Sequence, residues 1–156
     1  MASQIGSIPE SPRPGPTGWT EPEITALDAL VGSLIANRAA INALQALDAS
    51  MMAAALALAE DRATTRGGSA DLEVREIAAE IGAALRVSDR TVQRQLSDAH
   101  TLSTRFPATH RAQSEGRISR AHTDAIMDAG VRIADEGARA AFEAEVLLHA
   151  ERESAA

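Results

Sequence analysis

Residues 81–96 read IGAALRVSDRTVQRQL. Ile81 and Leu85 lie one helical turn apart before the Arg86-Val87-Ser88 segment, and Val92 and Leu96 lie one turn apart after it. Repeats of this spacing give a helix one apolar face, so the segment reads as two helices meeting at a tight turn. Ser88 is the expected N-cap of the second helix, its hydroxyl accepting from the backbone N–H of residue 90 or 91. Gly82 is small enough to let the helices cross closely, and Ile81, Leu85, Val87, Val92 and Leu96 are expected to fill the angle between them. These are the parts of a helix-turn-helix: a supporting helix, a short turn, and a second helix whose first turns can enter a major groove. Two core helices that merely turn at a serine are the alternative. Examples that bind DNA usually carry glycine where the turn needs a left-handed backbone; here that position is Arg86, which can adopt it at a cost of roughly 1 kcal/mol or more.

The second helix has a polar outer stripe. Arg90, Arg94, Ser97, Thr101 and Arg105 follow one another at helical spacing, with Gln93 beside them and Arg86 in the turn. These seven are the candidate nucleic-acid-binding residues. Arginine pairs bidentately with guanine and glutamine with adenine, and arginine, serine and threonine also hold phosphates.

Charge is distributed to match. The 156 residues carry a net charge of −7, yet residues 86–120 hold seven arginines against Asp89, Asp98 and Glu115 and are the one net-basic segment. Charge asymmetry of this kind speaks to partners rather than fold, and DNA through residues 86–120 is the partner it suggests; the alternative is a solvated basic face answered by acidic neighbours. Every basic residue is arginine, as a GC-rich, alanine-favouring genome would give.

Composition sets the fold class. Apolar residues make up 45 %, much of that alanine, and the aromatics are only Trp19, Phe106 and Phe142. Alanine is the best helix former and strand formers are few, which predicts an all-α fold. The absence of cysteine excludes disulfides and zinc ribbons and fits a reducing compartment. No run of apolar residues approaches the roughly 20 of a membrane span, and the N-terminus lacks a basic start and an apolar core, so no secretory signal is read. The default expectation is a cytoplasmic protein without membrane contact.

Working outward from residue 81, about six helices are predicted. Residues 1–19 hold Pro9, Pro12, Pro14 and Pro16 and read as a disordered tail. Thr20, Glu21, Pro22 and Glu23 start a helix that runs to about Ala63. Its expected apolar stripe is Ile24, Leu27, Leu30, Val31, Leu34, Ile41, Leu44, Leu47, Met51, Leu56 and Leu58. Such a length outgrows a compact domain, so the helix is expected to pack on a partner chain, as in self-association through residues 20–63, or on helices beyond residue 156; a break at Asn37 and Arg38 is the alternative. Gly67 and Gly68 end it, and Ser69 or Asp71 caps a second helix over 72–85 that buries Val74, Ile77, Ala78, Ile81 and Leu85. The third spans 89–105 with Val92, Leu96, Ala99 and Leu102 inward. Pro107 opens a short fourth that ends at Gly116. Ser119 caps a fifth, to about Ala134, with Ala121, Ala125, Ile126, Ala129 and Ile133 inward. A sixth spans 138–152 with Phe142, Val146 and Leu147 inward. Residues 20–156 thus form one helical domain, which stops at HAERESAA without cap or tail.

Little reads as chemistry. His122 and Asp124 point to different faces of a helix, and Asp124 and Asp128 alone are a solvated pair, so no metal site is expected. His122 is expected to make a structural hydrogen bond near a helix end. RGGS lacks the lysine of a phosphate loop. No catalytic residue, cofactor or small-molecule substrate is expected.

The order of motifs from Arg75 to Ile133 carries a resemblance. An alanine-rich helix, then Leu85 to Leu96, then Phe106-Pro107-Ala108-Thr109, then Gly116-Arg117-Ile118-Ser119-Arg120-Ala121-His122-Thr123 is similar to the domain of unknown function 222, the 13E12-repeat family. Phe106 stands where leucine is common, and Thr123 where alanine is common. The resemblance implies a helical region placed ahead of an HNH nuclease module and continuing beyond residue 156, so that this chain is the N-terminal part of a longer protein or a shortened product. It carries no nuclease residue over: there is no cysteine, and the only asparagines are Asn37 and Asn42. The expected function is therefore a non-catalytic accessory region of an HNH-endonuclease-type protein that binds nucleic acid or positions domains. The alternatives are an interaction module that touches no nucleic acid, and a stand-alone helix-turn-helix regulator.

Overall fold

The structure is a computed structural model and describes residues 18–153. The tail expected at 1–19 lies outside the described residues except for Gly18 and Trp19, which are exposed. Among the described residues there are six helices and no strand: α1 (Glu21–Arg66), α2 (Ala70–Leu85), α3 (Asp89–Arg105), α4 (Pro107–Ser114), α5 (Arg120–Gly130) and α6 (Glu136–Ala150). The all-α expectation holds. The chain divides into two compact units, Met1–Ile35 and Ala36–Ala156.

α1 is a single helix of 46 residues, roughly 69 Å long at 1.5 Å per residue, with no break at Asn37 or Arg38. Its first turn is closed by Glu23, whose Oε2 accepts from the Thr20 backbone N–H at 2.8 Å and hydroxyl at 2.7 Å. These bonds, the backbone one foremost, hold the Glu23 carboxyl below the usual glutamate range. Gly67 ends the helix in a left-handed conformation, φ 64°, and the Gly68 N–H donates back to the Ala63 carbonyl at 2.9 Å.

The large apolar residues of the stripe expected on α1 are mostly not what faces the bundle. The fully buried positions are Ala46, Ala49, Ala59 and Ala63, whereas Leu30, Val31, Leu34, Ile41, Leu44, Leu47, Met51 and Leu58 are exposed. Periodicity registers where large apolar side chains recur, but alanine is what permits a helix backbone to approach its neighbours closely. α1 holds an 18-residue window of mean hydropathy 1.4, 11 % of it buried, and by length and composition alone is long and apolar enough to cross a membrane. Alanines around Asp48 keep that average high although no uninterrupted run of large apolar residues exists.

In the second unit, two apolar clusters hold the helices together. Ala78, Val92 and Leu96 join α2 to α3, with Met52, Ala55 and Leu56 of α1 packed against them. Ala49, Leu102, Phe106, Ala112, Ile118, Ile126 and Leu147 form the larger centre, with Phe106 fully buried. Glu73, buried on α2, ties α1 to α2 by accepting from Arg62 Nε at 2.8 Å and Arg66 Nη1 at 3.5 Å. Gly116, φ 73°, presses on Ala39: a Cβ there would lie 2.8 Å from the Ala39 Cβ. The α4–α5 turn thus meets α1 at a distance only glycine allows.

α5 ends four residues before the expected Ala134, and its inner face is Thr123, Ile126 and Gly130 rather than Ala121, Ala125, Ala129 and Ile133. Gly130 lies flat on two rings, where a Cβ would sit 2.7 Å from Phe106 and 2.8 Å from Phe142. The chain then leaves the helix, and arginines from α3 and α6 take up carbonyls of the 131–134 turn.

Candidate nucleic-acid interface

The α2–α3 turn forms as its residues require. Ser88 is the N-cap of α3, its hydroxyl accepting from the Thr91 N–H at 3.1 Å. Arg86 takes the left-handed conformation, φ 59° and ψ 40°, the one non-glycine residue with positive φ among the described residues. Both its N–H and that of Val87 donate to the Gly82 carbonyl, which closes the end of α2. Gly82 is buried, and a Cβ there would lie 2.9 Å from the Val87 carbonyl oxygen. Backbone packs on backbone at this turn, so the expectation that Leu85 and Val87 fill the interhelical angle is corrected: both are exposed. Val92 and Leu96 are fully buried, Ile81 half-buried, and Leu85 lines a cleft of about 460 Å³ shared with Met51, Met52, Gln95, Asp98 and Met127.

The seven candidate residues separate into two groups. Arg86, Arg90, Arg94 and Ser97 are exposed and Gln93 half-exposed, and none of these five side chains is hydrogen-bonded or ion-paired among the described residues. Arg90, Arg94 and Ser97 continue one face of α3, and Arg86 adds a cation at the turn before it. The other two residues are engaged within the chain. The Thr101 hydroxyl donates to the Ser97 carbonyl at 3.0 Å. Arg105 Nη2 donates to the carbonyls of Val131 at 2.9 Å and Ile133 at 3.2 Å.

The rest of the basic segment divides likewise. Arg117 pairs with Glu115 at 2.8 Å and with Glu151 just past the end of α6, and Arg120 pairs with Asp124 at 2.7 Å. Arg111 is exposed and its side chain makes no such bond among the described residues. The free positive charge on the described surface of this segment is therefore Arg86, Arg90, Arg94 and Arg111.

His122 serves the fold. Its Nδ1 accepts from the Ser119 N–H at 3.2 Å while the Ser119 hydroxyl accepts from the His122 N–H, a capping box at the start of α5. With Nδ1 accepting, Nε2 is the protonated nitrogen and donates to the Glu153 carbonyl at 3.0 Å. Among the described residues no group of three or more His, Asp or Glu is gathered as metal ligands would be.

Sequence reading missed the buried charges. Arg139 on α6 is buried and donates to the carbonyls of Arg105 at 3.0 Å and Ile133 at 2.9 Å. Glu143, one turn later and 2 % exposed, accepts from the Thr109 N–H at 2.5 Å. No local signal marks either residue, because each answers a group 34 positions away.

Residues 32–154 match the family described as Domain of unknown function (DUF222). The chain belongs to this family. No curated protein and no solved structure matches it. Within the matched region, Phe106 fills the core, Pro107 starts α4, Thr109 is buried, Gly116 meets Ala39, Ile118 is buried, and Ser119 with His122 caps α5.

Proposed function

We propose that this DUF222 region is a non-catalytic helical accessory region of an HNH-endonuclease-type protein. It docks on the phosphate backbone of nucleic acid and so positions its neighbouring domains. The observation that carries the reading is the exposed, unpaired set Arg86, Arg90 and Arg94 on a helix-turn-helix whose strained turn residue is itself an arginine. A non-glycine residue held in the left-handed region stores of order 1 kcal/mol, and such strain concentrates at functional positions. Exposed guanidiniums gain most from phosphates, which they hold bidentately and without regard to sequence. The HNH context rests on the family resemblance.

The test is fluorescence anisotropy of the chain against a labelled random duplex and a labelled single strand at low and moderate salt. Salt-sensitive binding that Arg90→Gln with Arg94→Gln weakens supports the reading. Absence of binding at low salt, or binding indifferent to those substitutions, overturns it. Preference for one palindromic site over the random duplex would instead make this a stand-alone regulator. The exposed apolar face of α1 favours a second reading, an interaction module, and leads to the following inference.

A further inference from the structure

We infer that α1 is the interface of an antiparallel homodimer, with the two-fold axis crossing between residues 42 and 43. The outward positions of α1 share one period, although Leu27 is half-buried and Ala55 packs on the α2–α3 cluster. Leu27, Leu34, Ile41, Asp48 and Ala55 recur every seven residues along α1, as do Leu30, Asn37, Leu44, Met51 and Leu58. Interleaved at spacings of three and four, these are the a and d positions of a two-stranded coiled coil, the seam along which one helix meets another. Leu30, Leu34, Leu44, Met51 and Leu58 are each more than half exposed. Alanines supply the buried positions of α1, so Leu30, Leu34, Leu44 and Leu58 stand largely in solvent, with Met51 at the rim of the cleft beside Leu85. A contiguous exposed apolar surface of this kind marks an interface.

The two polar seam residues choose the occupant and its direction. A parallel pair of identical helices would set Asp48 against the partner's Asp48 in the seam, two like charges taken from water together. An antiparallel pair about residues 42 and 43 sets Asn37 opposite the partner's Asp48 at both ends of the centre, an amide donor facing a carboxylate acceptor. In the same register Ile41 faces the partner's Leu44, Leu34 faces the partner's Met51, and Leu27 faces the partner's Leu58. Leu30 falls opposite the partner's Ala55, a small residue half-buried on its own α2–α3 cluster, so that layer contributes little. Sliding either helix by one heptad leaves Asn37 and Asp48 each opposite an apolar residue. A second copy of this chain therefore satisfies both polar positions in one register, and buried polar residues are known to fix register and orientation in this way. Ala40 and Ala54, beside the seam, allow close approach.

The absence of cysteine makes the test direct. Sedimentation equilibrium of the chain should give twice the 16.3 kDa of one copy. Leu44→Glu, at an exposed position, should return the mass to that of one copy while helical content, read by circular dichroism, is unchanged. Leu34→Cys and Met51→Cys are then prepared separately, mixed under reducing conditions and oxidised with glutathione. The mixture should give a disulfide-linked dimer, while each variant alone should give none, since like positions lie far apart when the helices run oppositely. Self-linking of either variant alone would overturn the antiparallel register. A mass of one copy for the parent chain would overturn the dimer. Co-sedimentation with phosphatidylcholine–phosphatidylglycerol vesicles at the expense of the dimer would overturn it in favour of a lipid surface.

Discussion

The guanidiniums of Arg105 and Arg139 converge on one acceptor: the Ile133 carbonyl oxygen receives Arg105 Nη2 at 3.2 Å and Arg139 Nη1 at 2.9 Å. Arg139 Nε also donates to the Arg105 carbonyl at 3.0 Å. Three elements, α3, the 131–134 turn and α6, are thereby joined through backbone oxygens. Charge-assisted bonds to partly buried carbonyls are worth more than neutral ones, and the acceptors are orphaned when the donor is removed. Arg139→Ala is expected to destabilise the fold by about 2–4 kcal/mol. Because the two arginines share Ile133, the double variant with Arg105→Ala should cost less than the two single losses together. Urea denaturation of the four proteins measures both.

Arg105 and the pair Arg90 and Arg94 should part company in two measurements. Arg90→Gln with Arg94→Gln is expected to leave the melting temperature unchanged and to lower the slope of log affinity against log salt by about 2, one for each phosphate no longer neutralised. Arg105→Gln should lower the melting temperature and leave that slope nearly as it was.

Arg86→Gly separates strain from charge. Glycine takes the left-handed conformation without the Cβ clash, so the variant should gain about 1 kcal/mol in stability. It should also bind duplex more weakly, having given up one of the exposed cations. Gly82→Ala should act in the opposite sense, losing about 1–3 kcal/mol, because its Cβ would lie 2.9 Å from the Val87 carbonyl oxygen, a backbone atom that can move only with the turn. Urea midpoints and duplex titrations of the two variants decide both points.

Glu143 caps a helix to which it does not belong. α4 begins after Phe106, which has no capping side chain, and the Thr109 N–H in its first turn is met by the Glu143 carboxylate from α6. Glu143→Ala should orphan that buried N–H and cost about 1–3 kcal/mol. Amide exchange should speed up first at residues 108–110 if the cap acts locally.

The first turn of α1 should respond to acid. The Glu23 carboxyl titrates lower in the folded chain than in the unfolded one, since its charged form accepts from Thr20. The unfolded chain then binds the proton more readily, and the stabilisation is complete above the ordinary glutamate value and fades as pH falls through the lower, folded one. Carbon-detected titration of the Glu23 carboxyl should give a midpoint below that of free glutamate. Thr20→Val should raise the midpoint only part of the way toward it, because the backbone donor remains.

Local signals make much of this protein legible in its sequence. Alanine content and scarce strand formers determine helices. Ser88, Ser119 and Pro107 place three helix starts, since a capping hydroxyl or a proline acts on the next turn of its own chain. The left-handed turn at Arg86 follows from the shortness of the link, and the inner face of α3 from spacing alone.

Tertiary structure decides what distant residues do to one another. Seven arginines share the basic segment, but only the fold commits Arg105 to carbonyls and Arg117 to Glu151, leaving Arg86, Arg90, Arg94 and Arg111 to solvent. The last position of α5 takes glycine because two rings, Phe106 and Phe142, lie where a Cβ would go. The face that α1 turns to the bundle is its alanine face, a choice of close backbone approach over large side chains. Apolar periodicity states that a helix has a sticky side. Packing distance determines whether that side turns inward.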